Sequence, residues 1–231
     1  MELQYVIYFF EAIAFLLAIS VHESAHAFTA WRCGDPTAKM LGRVSLNPVR
    51  HIDIMGTLVM PAICLITHFP VIGWAKPTPV DPRNFKHEIR DDILTSVAGP
   101  ISNFLVAAVA VVFLILISSA SVVGNAIVKV LALTYGQAGG ALPTNSVLLP
   151  ISLFLYEVML INVLLGVFNL IPVPPLDGSH VVRHMLSDRV RDVYDRVGIF
   201  GLIVLLLVGG NLLMAMMSPF LSIFNSLLMR V

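Results

Sequence analysis

The sequence predicts an all-α polytopic membrane protein with five to six transmembrane helices, a re-entrant segment, and a small β-hairpin between the first and second apolar runs. Three observations predict it. Hydrophobic residues make up 58% of the 231 residues and charged residues 12%, with a mean hydropathy of +0.90, far more apolar than a soluble domain of this size. The apolar residues gather into runs at 5–30, 54–69, 94–118, 148–171 and 197–217, of which all but 54–69 reach the roughly 20 residues that span a bilayer. Lys and Arg concentrate in the connections that one consistent threading puts on a single side. A formal net charge of +0 without a long basic run gives no expectation of a nucleic-acid partner.

The first run, 5–30, has Glu11, His22, Glu23 and His26 as its only strongly polar residues. No Lys or Arg precedes Arg32, so the basic start of a secretory signal is missing and the run is expected to be retained as the first helix. Next come Gly34-Asp35-Pro36, two short strand-compatible pieces at 39–41 and 44–46 separated by Gly42, and Asn47-Pro48. Turn residues bracketing such pieces read as a small β-hairpin or ribbon, with an irregular interfacial loop as the alternative. Run 54–69 is short and carries Pro61, which suits a re-entrant segment better than a full span. Arg32, Lys39, Arg43 and Arg50 precede it and Lys76, Arg83, Lys86 and Arg90 follow it, so both flanks read as cytoplasmic.

Run 94–118 then leads outward, the connection 119–147 with only Lys129 lies outside, and run 148–171 returns. That leaves Arg183, Arg189, Arg191 and Arg196 on the cytoplasmic side. A sixth crossing at 122–133 is the less favoured alternative, because the stretch is short and holds Lys129. Gly209-Gly210-Asn211 and Ser218-Pro219 interrupt the last apolar stretch, which reads as a helix break with a peripheral tail. Cys33 and Cys64 form no C-x-x-C pair and read as ordinary thiols. No soluble accessory domain fits in the remaining length, so residues 1–231 are expected to form one integral membrane domain.

His22-Glu23-Ser24-Ala25-His26 is an H-E-x-x-H pattern inside the first run. On a helix, residues i and i+4 lie on one face about 6 Å apart along the axis, so both rings can turn a nitrogen toward one metal ion. Glu23 then sits beside the metal rather than on it, where it can act as general base on a metal-activated water. Two packed histidines are the bland alternative, but ionisable groups at membrane depth are costly and normally functional. Trp31, an interface marker nine positions on, puts His22 roughly 14 Å below the cytoplasmic boundary.

A catalytic zinc takes three protein ligands and keeps one position open. Asp177 is the candidate third ligand, at the end of Pro172-Val173-Pro174-Pro175-Leu176-Asp177-Gly178. Three prolines in four residues must break the helix, and irregular backbone near membrane depth implies surrounding protein or a water-filled cavity. Taken alone, a simple interfacial turn explains this segment equally well. The threading favours a meeting, since Asp177 and the His22/His26 pair all lie toward cytoplasmic helix ends. His51 could serve as a fourth ligand at rest, though an ordinary interfacial histidine is the plainer reading. His180 and His184, also spaced i, i+4, lie among arginines and read as a solvated helix face.

Together with segment 169–178, the H-E-x-x-H pattern resembles the site-2 protease family of intramembrane zinc metalloproteases. Gly34-Asp35-Pro36, Gly73-Trp74-Ala75-Lys76-Pro77 and Ala98-Gly99-Pro100-Ile101-Ser102-Asn103 also resemble its compact bacterial and archaeal branch, which lacks a PDZ domain. The resemblance covers nearly the whole chain from the first helix to the fifth. It implies one Zn2+ per chain held by His22, His26 and Asp177, with Glu23 as catalytic base. It also implies a place for Asn169 near the site, where its amide could hold substrate backbone or the oxyanion.

The expected reaction is hydrolysis of peptide bonds in or near the transmembrane segments of single-span substrates, in contact with membrane lipid. The expected location is a prokaryotic cell membrane with the active site toward the cytoplasm, and homo-oligomerisation stays open. A helical substrate must unwind before attack, and strand addition against the 39–46 ribbon would hold it unwound. The rival reading is a metal transporter, whose ligands would mark a path at successive depths and would leave Glu23 without a role. A non-catalytic scaffold for transmembrane partners is the third.

Overall fold

The computed structural model describes residues 3–60, 63, 73–135 and 146–231. Its helices are α1 (Leu3–Cys33), α2 (Thr37–Met40), α3 (Glu88–Ala120), α4 (Val122–Thr134), α5 (Leu148–Asn169), α6 (Gly178–Arg183), α7 (Asp188–Val208) and α8 (Gly210–Met229). Short 3-10 turns stand at Pro48–Arg50 and Pro82–Asn84, and a π-helical turn at Ile54–Val59. Among the described residues four helices are long and apolar enough to cross a membrane: α1 from Tyr5, α3, α5 and α8. These four fit the expected polytopic architecture.

The stretches 122–133 and 197–217 depart from single full crossings for local reasons. α4 has 13 residues, about 20 Å at 1.5 Å per residue, which is short of the roughly 30 Å apolar slab. The expected span 197–217 is divided at Gly209, which closes α7 and opens α8. The expected peripheral tail is instead part of α8, with Met217, Leu221, Asn225 and Leu228 buried. Half of the expected re-entrant segment 54–69, residues 61–62 and 64–69, lies outside the described residues.

The β-hairpin expected between the first two apolar runs is corrected: among the described residues there is no strand, and Lys39 and Met40 are the last residues of α2. The reason lies in Gly42. Its φ of 72° puts it in the left-handed region, Gly42 N–H donates to Lys39 O at 2.9 Å, and Arg43 N–H donates to Ala38 O at 2.9 Å. That hydrogen-bond pair is a Schellman helix stop, not a hairpin turn. Gly34 ends α1 in the same way, with φ 119° and bonds from Gly34 N–H to Trp31 O and from Asp35 N–H to Ala30 O. A glycine between two short apolar pieces punctuates either structure, and only the backbone pairing tells them apart.

The chain divides into two compact units, one holding residues up to Ala18 together with Pro100–Val231, the other Ile19–Gly99. The first unit is built on α5, whose Leu149, Leu153, Tyr156, Val163 and Val167 recur at helical spacing and are buried. Ala107, Val111 and Leu114 of α3, Ile127 and Leu131 of α4, and Leu221 and Leu228 of α8 join the same core. Buried polar groups tie the helices together: Asn103 Nδ2 donates to Asn162 Oδ1 at 2.8 Å and Tyr156 OH to Asn225 Oδ1 at 3.0 Å. Leu105, Val109, Val112, Phe113 and Leu116 of α3 face outward, as side chains covered by lipid do.

The second unit is held by side-chain knots at its loops. Asp35, fully buried, accepts hydrogen bonds from Thr37 N–H and Oγ1, Asp81 N–H and Asn84 Nδ2. Asp53 Oδ1 accepts from Gly56 N–H, and Thr57 Oγ1 donates to Trp74 O. A Cβ on Gly56 would lie 2.4 Å from the Trp74 indole, so the chain at 56 and 74 can pack this closely only without a side chain at 56.

Candidate metal and catalytic site

The H-E-x-x-H pattern lies within α1, as the spacing requires, and its two histidines are 6% and 8% exposed. Their Nε2 atoms face each other at 3.0 Å. The His26 ring is oriented from behind, because its Nδ1 donates to Thr95 O of α3 at 2.7 Å. With the proton on Nδ1, Nε2 of the neutral ring carries the lone pair. Two imidazole nitrogens this close share either a proton or a cation. Nitrogens about 2.0–2.1 Å from a tetrahedral zinc are about 3.3 Å apart, so the donor pair fits zinc. The carbonyl behind His26 is the usual means by which a ligating imidazole is held in one tautomer.

α3 reaches this pair at Gly99. A Cβ there would stand 2.4 Å from His26 Nε2 and 2.7 Å from His22 Nε2. Any side chain at 99 would thus collide with both imidazole rings. Pro100 follows at once and removes the N–H that would otherwise bond the preceding turn.

Glu23 points elsewhere on the same helix. Its Oε2 accepts a hydrogen bond from Thr78 N–H at 2.8 Å, and its main-chain carbonyl accepts one from Thr78 Oγ1 at 3.1 Å. Within this unit, no further His, Cys, Asp or Glu among the described residues brings a ligand atom into the His22/His26 cluster. His51 is fully buried, with Nε2 donating to Ser45 O at 2.7 Å and its carbonyl accepting from Lys76 N–H at 2.9 Å. Those bonds make it a knot of the 45–76 loops, not a surface histidine.

Asp177 and Asn169 belong to the other unit. α5 stops at Asn169, and the chain runs through Pro172-Val173-Pro174-Pro175 in short turns, with Leu176 N–H on Val173 O and the Tyr194 hydroxyl on Pro172 O. Asp177 is the residue that opens α6, its carbonyl accepting from His180 N–H at 3.1 Å. Gly198 of α7 packs on this turn so closely that a Cβ would come within 2.4 Å of Pro174. Asn169 turns its amide nitrogen back to Leu165 O at 3.0 Å, which uses one of its two N–H donors.

Sequence reasoning singled out neither Thr78 nor Thr95. Thr95 acts through a main-chain carbonyl, for which side-chain identity gives no signal. Thr78 did carry one: between Pro77 and Pro79 it is the one residue with an N–H to give.

A model of peptidase family M50 matches residues 10–209. A Bacillus subtilis (strain 168) protein named "Putative zinc metalloprotease YwhC" is 32% identical over 196 residues, 85% of this chain and 78% of that protein. "Putative zinc metalloprotease Rip2" of Mycolicibacterium smegmatis is 35% identical over 106 residues, 46% of this chain and 40% of that protein. No solved structure matches the chain.

Proposed function

Because the chain belongs to peptidase family M50, the site-2 proteases, and is a membrane-embedded zinc metalloprotease, we propose that it hydrolyses peptide bonds in or near the transmembrane segments of single-span substrates. His22 and His26 supply two zinc ligands, and Asp177 supplies the third. A zinc ion held by these residues would supply Lewis-acid chemistry, polarising the scissile carbonyl and making a water easier to deprotonate. Glu23 removes the proton of the attacking water and returns it to the leaving amine. Asn169, with one amide N–H still available, donates to substrate backbone. The active site opens toward the cytoplasm, on the side of the basic loops.

The observation that carries this reading is the pair of buried Nε2 atoms 3.0 Å apart, one oriented by Thr95 O, with Glu23 next in the chain and held by its own contacts. A histidine pair kept only for packing has no need of that orientation. Asp177 is supported by the chemistry of the set: two neutral imidazoles leave a divalent ion short of a ligand, and a carboxylate supplies both the ligand and a charge.

The test is cleavage of a panel of tagged single-span substrates by purified protein, with zinc measured on the same samples. Glu23→Gln is expected to keep zinc and lose at least about a hundredfold in rate, whereas Asp177→Ala is expected to lose both. Wild-type cleavage by the Glu23→Gln protein at full zinc content would exclude the glutamate mechanism. Stoichiometric zinc at undiminished affinity in Asp177→Ala would exclude Asp177 as a ligand.

A further inference from the structure

Residues 74–79 form a strap whose amides at 74, 76 and 78 are used on one edge. Trp74 N–H donates to Gly56 O at 3.1 Å, Lys76 N–H to His51 O at 2.9 Å, and Thr78 N–H to Glu23 Oε2 at 2.8 Å. Donors at every second residue are the signature of extended backbone, where alternate N–H groups point to opposite edges. The sequence enforces that conformation. Lys76 and Thr78 each precede a proline, which disfavours the helical region, while Pro77 and Pro79 have φ fixed near −65°. The prolines also occupy the alternate positions, so the other edge has no N–H at 77 or 79. The absence of donors at 77 and 79 disfavours pairing of that edge with a neighbouring strand.

The bound edge ends on the carboxylate. Thr78 makes two contacts with Glu23, one to each of its oxygen-bearing groups: N–H to Oε2 and Oγ1 to the main-chain carbonyl. A glutamate has three rotatable side-chain bonds, and a base must present one oxygen at a fixed point to take a proton at high rate. A hydrogen bond to Oε2 restricts rotation of the carboxylate and engages that oxygen, which makes Oε1 the oxygen left for proton transfer.

We propose that Thr78 is a positioning residue for the general base, with the proline-locked strap serving to deliver its N–H to Glu23 Oε2. Oε1 is then the atom that takes the proton. This rests on the reading of Glu23 as the base.

The experiment compares kcat, KM and zinc content for wild type, Thr78→Pro, Thr78→Ser and Glu23→Gln on a single-span substrate that the wild type cleaves. Thr78→Pro deletes the N–H in a segment that the flanking prolines already hold extended. It is expected to lower kcat about tenfold or more with KM and zinc unchanged, while Thr78→Ser, which keeps both donors, stays near wild type. Wild-type kcat in Thr78→Pro overturns the proposal. If Thr78→Pro loses zinc or cannot be purified, the α-hydroxy analogue of threonine at 78, introduced by nonsense suppression, decides it. That ester lacks only the N–H, so an equal fall in kcat upholds the proposal and an unchanged kcat overturns it. Cleavage by Glu23→Gln would instead defeat the base reading itself, whereas an inactive Glu23→Gln with an unaffected ester defeats the clamp alone.

Discussion

Gly99 is the residue at which the absence of a side chain matters most. A methyl group there would sit 2.4 Å from His26 Nε2, well inside van der Waals contact. The neighbouring atoms are ring atoms of two buried histidines, one of them tied to Thr95 O, so they have little freedom to give way. Gly99→Ala is expected to lower zinc affinity about tenfold or more, with a parallel loss of cleavage. Wild-type zinc affinity in that variant, measured by competition with a chelator, would show that the rings can move aside. The same geometry separates two kinds of histidine in this chain: His26 has a carbonyl behind one nitrogen and its partner ring before the other, whereas His51 spends its Nε2–H and its carbonyl on loop contacts.

Among the elements, the loop after α1 is organised by capping rather than by strand pairing. Gly34 and Gly42 close α1 and α2 through the same Schellman bonds, and the buried Asp35 carboxylate gathers Thr37, Asp81 and Asn84 around one point. Burial pushes the Asp35 pKa up, but the hydrogen bonds from Thr37, Asp81 and Asn84 outweigh it and hold it below the usual carboxylate range. A lowered folded-state pKa means that the stabilisation is full above the unfolded value of about 3.9 and is lost as pH falls through the folded value. Asp35→Ala is expected to cost roughly 2–3 kcal/mol, because it strands buried donors. Thermal melts in detergent should show the deficit at pH 7 and a smaller one once the wild-type carboxyl is protonated. A deficit that stays the same size as pH falls through that folded value would mean that the charge is not what matters.

For the whole molecule, the question is which side of the membrane each connection occupies. Arg50 and Lys86 are both exposed, and the basic residues around them predict one cytoplasmic face. Val147, 77% exposed just before α5, lies at the end of a connection with a single Lys. In a background without Cys33 and Cys64, cysteines at 50 and 86 are expected to react with an impermeant maleimide from the cytoplasmic side, and a cysteine at 147 from the opposite side. Labelling of 50 and 86 from opposite faces would make 54–69 a full crossing, and it would overturn the cytoplasmic orientation proposed for the site.

What the sequence determined by itself is what depends on composition and local spacing. Helical membrane character follows from the apolar runs, because lipid offers no partner to backbone amides. The i, i+4 histidines of α1 converge because a helix brings such positions to one face. The tertiary structure decided whatever depends on contacts between distant residues. Gly42 as a helix stop and not a hairpin turn, the division of the last apolar run at Gly209, and the burial of Leu221 and Leu228 all follow from backbone pairing or from packing partners on other helices. So do the two groups that orient the site, Thr95 O on His26 and Thr78 N–H on Glu23, which act through the main chain over separations of 69 and 55 residues. A main-chain donor or acceptor is the same at every non-proline position, and only the fold selects which one reaches the site.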